Sequence, residues 1–423
     1  MPQLSGLVLR RLLPIAAERM LDDPVVLIEG PRTVGKSTLL RAIAQETGAV
    51  VLDLDDPAMR DAVAADPGTF VSGIEPVCID EYQKAPIVLD AIKSELNRDS
   101  RPGRFVLTGS TRHDALPSAA QALTGRLTRL RLYPLSQGEV TDVHEDCLRQ
   151  LFADPDSLVA ARPTSTTTRV EYVERTVAGG MPIALSRRSA ARRAQWFDEY
   201  VALTLERDVR ELSKIRQGTL LPQLLLRLAG QTAQVLNIER AARDAGLDHS
   251  TAESYTRLLE AVFLLHRLPA WGKTLRSRAA ASPKVHVLDS GVAARLLRLT
   301  PERLLRRDPT ALTELGHLLE TFAVGELLKQ VSWTDGLAGV GHWRTHDGDE
   351  VDFIVERDDG AAVAFEVKAT GRVPASEFGP LRKLRGALGE AFIAGVVLYT
   401  GTSSYRLEDR LYAMPIDRLW SGH

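Results

Sequence analysis

The stretch from Val25 to Thr38 constrains the fold more than any other part of the sequence. The apolar, β-branched run Val25–Ile28 predicts a buried strand, and a turn with two glycines follows it. That turn, Gly30–Ser37, fits the phosphate-loop pattern G-x-x-x-x-G-K-[ST] at every position, and a helical pattern begins directly after it. The strand–loop–helix order predicts a nucleotide phosphate site and disfavours the alternative of a plain glycine turn with an exposed lysine.

Each residue type in this loop has a physical role. Gly30 and Gly35 let the backbone turn so that successive N–H groups point at phosphate oxygens. The start of the following helix adds partial positive charge, Lys36 can reach the β- and γ-phosphates, and Ser37 can hold Mg²⁺. The residues expected to bind the nucleotide are Gly30, Pro31, Arg32, Thr33, Val34, Gly35, Lys36, Ser37 and Thr38.

An acidic pair ends a second predicted strand. The apolar segment Pro76–Ile79 runs into Asp80 and Glu81, which is the Walker B pattern. We expect Asp80 to organise Mg²⁺ through its water shell and Glu81 to polarise the attacking water as a catalytic residue. The alternative is a strand that ends in a solvated acidic turn, and the preceding phosphate loop disfavours it.

Two further segments complete the pattern of a nucleotide-binding sheet. Arg104–Ser110 predicts a buried strand that ends in polar residues, and the hydroxyl of Thr108 or of Ser110 could orient the attacking water. Leu127–Leu132 alternates apolar and polar residues as a strand does. Strands separated by helical stretches predict an α/β fold with a parallel sheet and helices on both faces.

These motifs together closely resemble a prokaryotic AAA-type ATPase family. The shared motifs are Gly-Pro-Arg-x-x-Gly-Lys-Ser at 30–37, Ile-Asp-Glu-x-Gln-Lys at 79–84, Leu-Thr-Gly-Ser at 107–110, and Leu-x-Gly-Arg at 123–126 before Tyr-Pro-Leu-Ser. The resemblance covers the whole chain, and in this family the C-terminal half is mainly a domain of unknown function. One strand, Val50–Asp56, lies between the loop strand and the Walker B strand, as in the ATPase branch that includes AAA-type and RecA-type proteins.

The same resemblance makes Arg126 a candidate arginine finger or sensor. A finger stabilises charge on the transferring phosphoryl group and can come from a neighbouring subunit. The alternative is an ordinary surface arginine. AAA-type relatives often form rings, so the resemblance also admits a homo-oligomer.

Composition limits the classes of protein to which this chain can belong. With 423 residues, 44% hydrophobic residues and a net charge of −2, it is a globular chain of several domains and no polycation. The two cysteines, Cys78 and Cys147, form neither a metal motif nor a disulfide framework, which suits a cytoplasmic location. No apolar run approaches the ~20 residues of a membrane helix, so we expect no membrane partner.

The middle of the chain predicts a winged helix. Residues 220–265 contain three helical segments, and the apolar stretch Phe263–Leu268 follows them. A winged helix can place its third helix in the major groove of DNA. A basic loop comes next, with Lys273, Arg276 and Arg278.

The charge of the third helical segment argues against DNA. It carries Asp248, Glu253 and Glu260 against Arg257 alone, which is unfavourable for binding phosphates. Packing or protein binding is therefore favoured over DNA binding, although the basic loop keeps DNA as an alternative.

The C-terminal part carries carboxylates and a lysine in the pattern of a metal-dependent nuclease. Asp352 lies on the predicted strand Glu350–Val355, and Glu366 and Lys368 share one face of the strand Ala362–Lys368. A turn between the two strands predicts a hairpin, so these side chains can meet. Asp352 and Glu366 would bind Mg²⁺ or Mn²⁺, Lys368 would steady the attacking water, and Glu320 could approach from a helix.

This constellation is similar to the restriction-endonuclease-like, PD-(D/E)xK superfamily. The residue before Asp352 is Val351 rather than proline, which departs from the fuller pattern. The alternative is an edge hairpin whose aspartate and lysine pair in solvent. The resemblance implies a nuclease-like fold and leaves the catalytic competence of the site open.

The sequence thus predicts four parts. They are an AAA-type ATP-binding domain at 1–150, a connector and helical segment at 151–215, a winged-helix-like domain at 216–300 and a nuclease-like α/β domain at 301–423. The first hypothesis is an ATPase, with ATP and Mg²⁺, that couples nucleotide state to DNA binding or cleavage. The alternative is a nucleotide-gated binding or regulatory protein, with DNA or a protein as partner, whose nuclease-like domain is an inactive scaffold.

Overall fold

The computed structural model of this chain describes residues 4, 6–73, 75–115, 123, 125–161, 164–212, 218–272, 282–306 and 308–421. Within these residues the strands form sheets of five, three and six strands. The predicted basic-loop residues Lys273, Arg276 and Arg278 lie outside the described residues. In the same ranges, none of the helices combines the length and the hydropathy that crossing a bilayer requires.

The first sheet is parallel and is covered by helices. Its strands are Val25–Glu29 (β1), Val51–Asp53 (β2), Val77–Asp80 (β3), Phe105–Gly109 (β4) and Leu127–Arg131 (β5), in the spatial order β2-β3-β4-β1-β5. The accompanying helices are Leu12–Asp22 (α1), Lys36–Thr47 (α2), Pro57–Ala65 (α3), Pro67–Val71 (α4) and Ile87–Arg98 (α5). Alternate residues of β1 enter two different hydrophobic clusters, so both faces of the strand are buried. The predicted parallel sheet is confirmed.

The strand between β1 and β3 differs from the one that the chain order indicates. In space β4 lies between the loop strand and the Walker B strand, and β2 lies at the edge beyond β3. Parallel neighbours need long crossover connections, so chain order does not fix spatial order. This exchange places Thr108, near the end of β4, beside both functional strands.

Short helices follow the first sheet and lead into a second unit. They are Gln137–Thr141 (α6), Cys147–Ala153 (α7), Pro155–Ala161 (α8), Arg169–Ala178 (α9), Pro182–Leu185 (α10), Ala190–Leu203 (α11) and Val209–Leu212 (α12). A π-helical turn, Thr204–Asp208, joins α11 to α12. Such turns interrupt the regular hydrogen bonding of an α-helix and often occur at functional sites.

The second unit combines three helices with three short antiparallel strands. Its elements are Leu221–Ala229 (α13), Gln234–Val235 (β6), Ile238–Ala245 (α14), His249–Ala261 (α15), Leu265–Leu268 (β7) and Lys284–Val287 (β8). The strand order is β6-β8-β7. The three predicted helical segments are therefore present, and β6 is an addition that the sequence pattern did not indicate.

The third unit is a mixed sheet with a long helix against it. Ser290–Leu296 (α16) and Pro301–Leu304 (α17) precede the 24-residue helix Pro309–Ser332 (α18). The remaining elements are Leu337–Arg344 (β9), Glu350–Arg357 (β10), Ala362–Lys368 (β11), Gly379–Leu388 (α19), Phe392–Tyr399 (β12), Tyr405–Glu408 (β13) and Leu411–Pro415 (β14), with the strands in the order β13-β14-β12-β11-β10-β9. The predicted hairpin is present, because β10 and β11 pair antiparallel with Phe353 opposite Phe365.

Buried polar contacts tie α18 to the end of the first sheet's domain. The backbone N–H of Gln137 donates to Glu326 Oε2 at 2.8 Å, and Lys329 Nζ donates to the carbonyl oxygen of Leu135 at 3.1 Å. The N–H of Leu148 donates to Gln330 Oε1 at 3.0 Å. Because buried polar groups are costly when unpaired, these contacts fix the third unit against the first.

Candidate active site

The phosphate loop has a backbone that only certain residues tolerate. Gly35 has a φ of 105° and Thr33 a φ of 60°, both in the left-handed region. A Cβ added at Gly30 would lie 2.2 Å from the carbonyl oxygen of Leu132, so a side chain is excluded there. These constraints explain the two glycines of the motif.

Lys36 is buried at the start of α2 and folds back onto the loop. Its Nζ donates to the carbonyl oxygens of Gly30 and Pro31, each at 3.0 Å, and Glu81 Oε1 lies 3.9 Å from the same nitrogen. Burial lowers the pKa of Lys36, and the Glu81 carboxylate opposes that shift. The ammonium group therefore lies among acceptors in a place where anionic phosphate oxygens would be favourable partners.

Asp80 and Ser37 provide a pair of oxygen donors suited to Mg²⁺. The side chain of Ser37 hydrogen-bonds to the buried Asp80 carboxylate, and Thr108 Oγ1 donates to Asp80 Oδ1. Burial raises the pKa of Asp80, against the effect of these hydrogen bonds. Mg²⁺ in phosphate sites uses few protein oxygens together with phosphates and water, so this donor set fits it.

Protein side chains alone do not build a metal site anywhere in the described ranges. No group of three or more His, Cys, Asp or Glu residues there is arranged to hold a metal ion. A phosphate-loop metal does not require such a group, because the nucleotide supplies ligands.

Glu81 is held as an ionised carboxylate. Ser110 Oγ donates to Glu81 Oε2 at 2.8 Å, and the Gln83 amide donates to the same oxygen. Burial acts to raise the pKa of Glu81, but the charge of Lys36 and the hydrogen bonds from Ser110 and Gln83 outweigh it and lower the pKa. Its backbone φ of 53° is left-handed, which turns the residue sharply at the end of β3. An ionised, oriented carboxylate can accept a proton from water.

Thr108 connects the two acidic residues. Its hydroxyl donates to Asp80 and accepts from the backbone N–H of Glu81 at 3.3 Å, and the side chain is fully buried. Because its single O–H is used on Asp80, the geometry favours a positioning role for Thr108. The predicted orientation of water by Thr108 stays a prediction.

Arg126 lies at the amino-terminal end of the strands, whereas the phosphate loop lies at their carboxyl-terminal end. It immediately precedes β5, whose first residue, Leu127, pairs with Val25 at the start of β1, and the loop follows the other end of β1. A strand of five residues spans about 16 Å. Arg126 Nη1 donates to Asn97 Oδ1 at 2.8 Å. This position disfavours a sensor that acts on the loop of its own subunit, and the roles of Arg126 as an arginine finger or a sensor stay predictions.

An apolar cavity beside the loop was not indicated by the sequence motifs. Its volume is about 380 Å³, and Val34, Gly35 and Thr38 of the loop form one wall. Arg10 fixes this corner, because its guanidinium donates to the carbonyl oxygens of Val34 at 2.7 Å and Tyr133 at 2.6 Å. The apolar walls come from distant parts of the chain, namely Leu4, Val8, Leu135, Pro182 and Ile183.

The carboxylates predicted in the C-terminal part do come together. Glu320 on α18 and Asp352 on β10 contact a common group, and Asp352 and Glu366 affect one another electrostatically. Burial, and then the charge of Asp352, raises the pKa of Glu366 to about 8. Lys368 Nζ lies 3.0 Å from Glu366 Oε1 and 2.9 Å from Glu377 Oε2.

The common group is the side chain of Lys284, which sequence reasoning missed. Lys284 Nζ lies 2.7 Å from Glu320 Oε1 and 2.8 Å from Asp352 Oδ1, and it also contacts Glu350. Burial acts to lower the pKa of Lys284, but the three carboxylates outweigh it and raise the pKa. The available signal was a lysine at the head of a short alternating strand, Lys284–Val287, with the sequence Lys-Val-His-Val.

Comparison with protein families supports the first part of this site. Residues 22–141 match a family model described as an AAA domain. Residues 169–303 and 315–419 match models described as domains of unknown function, DUF8612 and DUF4143. The AAA match supports nucleotide binding and hydrolysis by the first sheet and its loops. The descriptions of the other two models name no activity.

Two curated relatives cover nearly the whole chain. Uncharacterized proteins of Mycobacterium tuberculosis (strain ATCC 25618 / H37Rv) and Mycobacterium bovis are each 28% identical to it over 398 residues, which is 94% of this chain and 81% of the relative. Among solved structures, a Walker-type ATPase of Pyrococcus abyssi is 14% identical, with 67% of this chain and 94% of that chain covered and a TM-score of 0.42. AMPPCP-bound DnaA from Aquifex aeolicus is 14% identical, with coverage of 59% and 86% and a TM-score of 0.28.

The bridging role of Thr108 gives a testable expectation. Thr108→Val removes the hydroxyl that joins Asp80 to Glu81, so kcat for ATP hydrolysis should fall about 10- to 100-fold with little change in KM. Thr108→Ser keeps the hydroxyl and is the matched control, which should retain most of the activity. A Thr108→Val protein that hydrolyses ATP at the wild-type rate would show that the bridge does not position the acidic pair.

Proposed function

We propose that this chain binds ATP with Mg²⁺, hydrolyses it, and uses the nucleotide state to set the position of its helical units. Lys36 and the loop N–H groups bind the phosphates, Ser37 and Asp80 hold the metal ion, and Glu81 accepts a proton from the attacking water. Bound Mg²⁺ neutralises charge on the phosphate oxygens. The apolar cavity beside the loop suits an adenine base, because such pockets bury the flat apolar part of a ligand.

The observation that carries the coupling is the ion pair between Arg32 and Asp208. Arg32 belongs to the phosphate loop, and its Nε lies 2.8 and 2.9 Å from the two carboxylate oxygens of Asp208. Asp208 ends the π-helical turn between α11 and α12, and its side chain is only 2% exposed. Nε is thus shared between both oxygens, and Nη2 lies 2.7 Å from Oδ1, so the ion pair restricts both the direction and the distance of the guanidinium group.

Electrostatics extend this link into the catalytic site. The charges of Arg32 and Asp208 both affect Lys36, and Arg32 also affects Glu81. A γ-phosphate bound at the loop would offer Arg32 a second anionic partner beside Asp208. Binding and loss of that phosphate would thereby strengthen or weaken the hold of the loop on the turn after α11, which is a differential contact of the kind that shifts a conformational equilibrium.

A second connection reaches the three-helix unit. The N–H of Arg112, just after β4, donates to the carbonyl oxygen of Ala261 at 2.9 Å. The guanidinium groups of Arg112 and Arg131 lie 5.7 and 5.8 Å from the centre of the Phe263 ring. Loops at the carboxyl edge of the first sheet therefore contact the unit that a nucleotide cycle would move.

The output of the cycle has two candidates. The helix–strand–helix–helix–strand–strand order of the second unit supports a winged helix, and Asp352, Glu366 and Lys368 support a nuclease-like third unit, so DNA binding or cleavage is the first. The second is nucleotide-gated binding of a partner, either DNA or a protein, with a nuclease-like unit that is a catalytically inactive scaffold. The protein cations among the C-terminal carboxylates favour the second candidate.

Two substitutions test the ATPase proposal directly. Glu81→Gln should reduce ATP turnover by about 10²- to 10⁴-fold and spare ATP binding, because it removes the base and keeps the shape of the side chain. Lys36→Ala should weaken ATP binding itself. Nucleotide affinity is measured with a fluorescent ATP analogue and turnover by phosphate release. Loss of affinity in Glu81→Gln would contradict the role given to Glu81.

The coupling has a separate test in Asp208. Asp208→Asn should remove the difference between ATP- and ADP-bound protein in amide hydrogen exchange of α11, because Arg32 loses its charged partner. Asp208→Glu keeps the charge and should retain part of that difference. The measurements use the Glu81→Gln background, so that ATP persists. An unchanged difference in Asp208→Asn would separate the ion pair from the coupling.

The two outputs are distinguished with labelled duplex DNA, ATP and Mg²⁺ or Mn²⁺. We expect nucleotide-dependent retention of DNA without cleavage, and loss of that retention in Lys36→Ala. Metal-dependent cleavage that disappears in Asp352→Ala and Lys368→Ala would instead establish the nuclease. If DNA is neither retained nor cut, the partner is a protein.

A further inference from the structure

Lys284 lies where a metal ion would have to lie between the C-terminal carboxylates. Glu320 and Asp352 were both expected to be metal ligands, and the nearest oxygen of each is within 2.8 Å of Lys284 Nζ. Glu350, two residues before Asp352, contacts the same nitrogen. The lysine is 1% exposed, so its ammonium group has exchanged water for carboxylates.

Most of the other polar groups of the cluster also have protein partners, although Glu366 Oε2 is buried without a hydrogen-bond partner among the described residues. Asp352 Oδ2 accepts the backbone N–H of Val367 at 2.9 Å, so each of its oxygens already has a protein partner. Lys368, which was expected to steady a water molecule, is paired with Glu366 and Glu377. These contacts do not fit a divalent cation held by Glu320 and Asp352, because an ammonium group and a metal ion would repel each other at such a distance.

The position of Lys284 is set by a different unit of the chain. It heads β8 and pairs with Val235 of β6 and with Leu268 of β7. The loop after β7 is bonded in turn to the C-terminal sheet, since the N–H of Trp271 donates to the carbonyl oxygen of His342 at 2.6 Å and Trp271 Nε1 donates to Glu356 Oε2 at 2.9 Å. The lysine is thus delivered to the cluster by the docking of one sheet on another.

We propose that Lys284 is a tethered cation that takes the place of a divalent metal ion in the cluster of Glu320, Glu350 and Asp352. While the three-stranded sheet is docked, the cluster takes up neither Mg²⁺ nor Mn²⁺, and its attraction for Lys284 holds the second and third units together. The inference is independent of ATP hydrolysis by the first sheet. It deepens the second candidate output, because it gives the nuclease-like unit a structural use for its acidic residues.

The test measures Mn²⁺ binding by the full chain without nucleotide. Binding is monitored through the electron paramagnetic resonance signal of free Mn²⁺. Every protein carries Asp80→Asn, which removes the metal carboxylate at the phosphate loop. With Lys284 present, no Mn²⁺ site should be detected at millimolar Mn²⁺. Lys284→Met should create one site per chain that is occupied at no more than a tenth of that Mn²⁺ concentration, and adding Asp352→Asn should abolish it. Lys284→Arg keeps the cation and should bind none.

Two results would overturn the proposal. One is a Mn²⁺ site in the protein with Lys284 intact that Asp352→Asn removes, because the lysine then does not exclude the metal. The other is a Lys284→Met protein with an unchanged circular dichroism spectrum that gains no site. If Lys284→Met folds only when Mn²⁺ is added, the metal replaces the lysine and the proposal stands. If Lys284→Met does not fold at all, the measurement on the protein with Lys284 intact is decisive. A Mn²⁺ site in that protein that Asp352→Asn removes refutes the proposal, and the absence of such a site supports it.

Discussion

The buried ammonium group of Lys36 is the interaction on which the first half of this structure depends. A lysine with almost no exposed surface keeps its charge only if the protein surrounds it with acceptors. The loop carbonyl oxygens of Gly30 and Pro31 do so, and Glu81 supplies the nearest negative charge. That arrangement forces the loop to close around the nitrogen and places the acidic pair at the end of β3 opposite it. The same geometry makes the site favourable for phosphate, which offers charge and hydrogen-bond acceptors together.

Lys284, the second buried lysine, also needs acceptors around its ammonium group, and protein carboxylates provide them permanently. Lys284 is satisfied by carboxylates from α18 and β10, so no ligand has to arrive. The two sites therefore differ in the balance of charge: the phosphate loop presents cations and N–H groups to an anion, whereas the C-terminal cluster is an anionic site that already holds its cation. This contrast is the physical ground on which we propose turnover at the first site and a structural role for the second.

Charged side chains with specific hydrogen-bond partners also hold the units together. Arg32 and Asp208 join the phosphate loop to the π-helical turn, and Glu326 joins α18 to the backbone of Gln137. Both contacts are specific in direction, and each would be costly to break on one side only. Such polar pairs fix direction and distance, whereas the hydrophobic effect itself has no preferred direction.

The sequence alone determined what depends on local pattern. The run Val25–Ile28 identifies a strand, because a buried strand requires consecutive apolar residues. The glycines after it identify the phosphate loop, because its backbone requires conformations that glycine adopts readily. The hairpin that presents Asp352 and Glu366 follows from alternation with a period of two, and both predictions agree with the structure. The AAA character of the first domain is supported by the family match, whereas the predicted domain boundaries stay predictions.

Only the tertiary structure decided which distant residues meet. Asp208 lies 176 residues from Arg32, and Lys284 lies 68 residues from Asp352, so neither pair leaves a periodic trace in the sequence. Chain order also indicated the wrong strand between β1 and β3. It did not indicate that Arg126 lies at the end of the strands away from the phosphate loop. Local propensities determine whether a segment forms a helix, a strand or a loop. Which segments become neighbours depends on the burial of apolar surface and the pairing of buried charges across the whole chain.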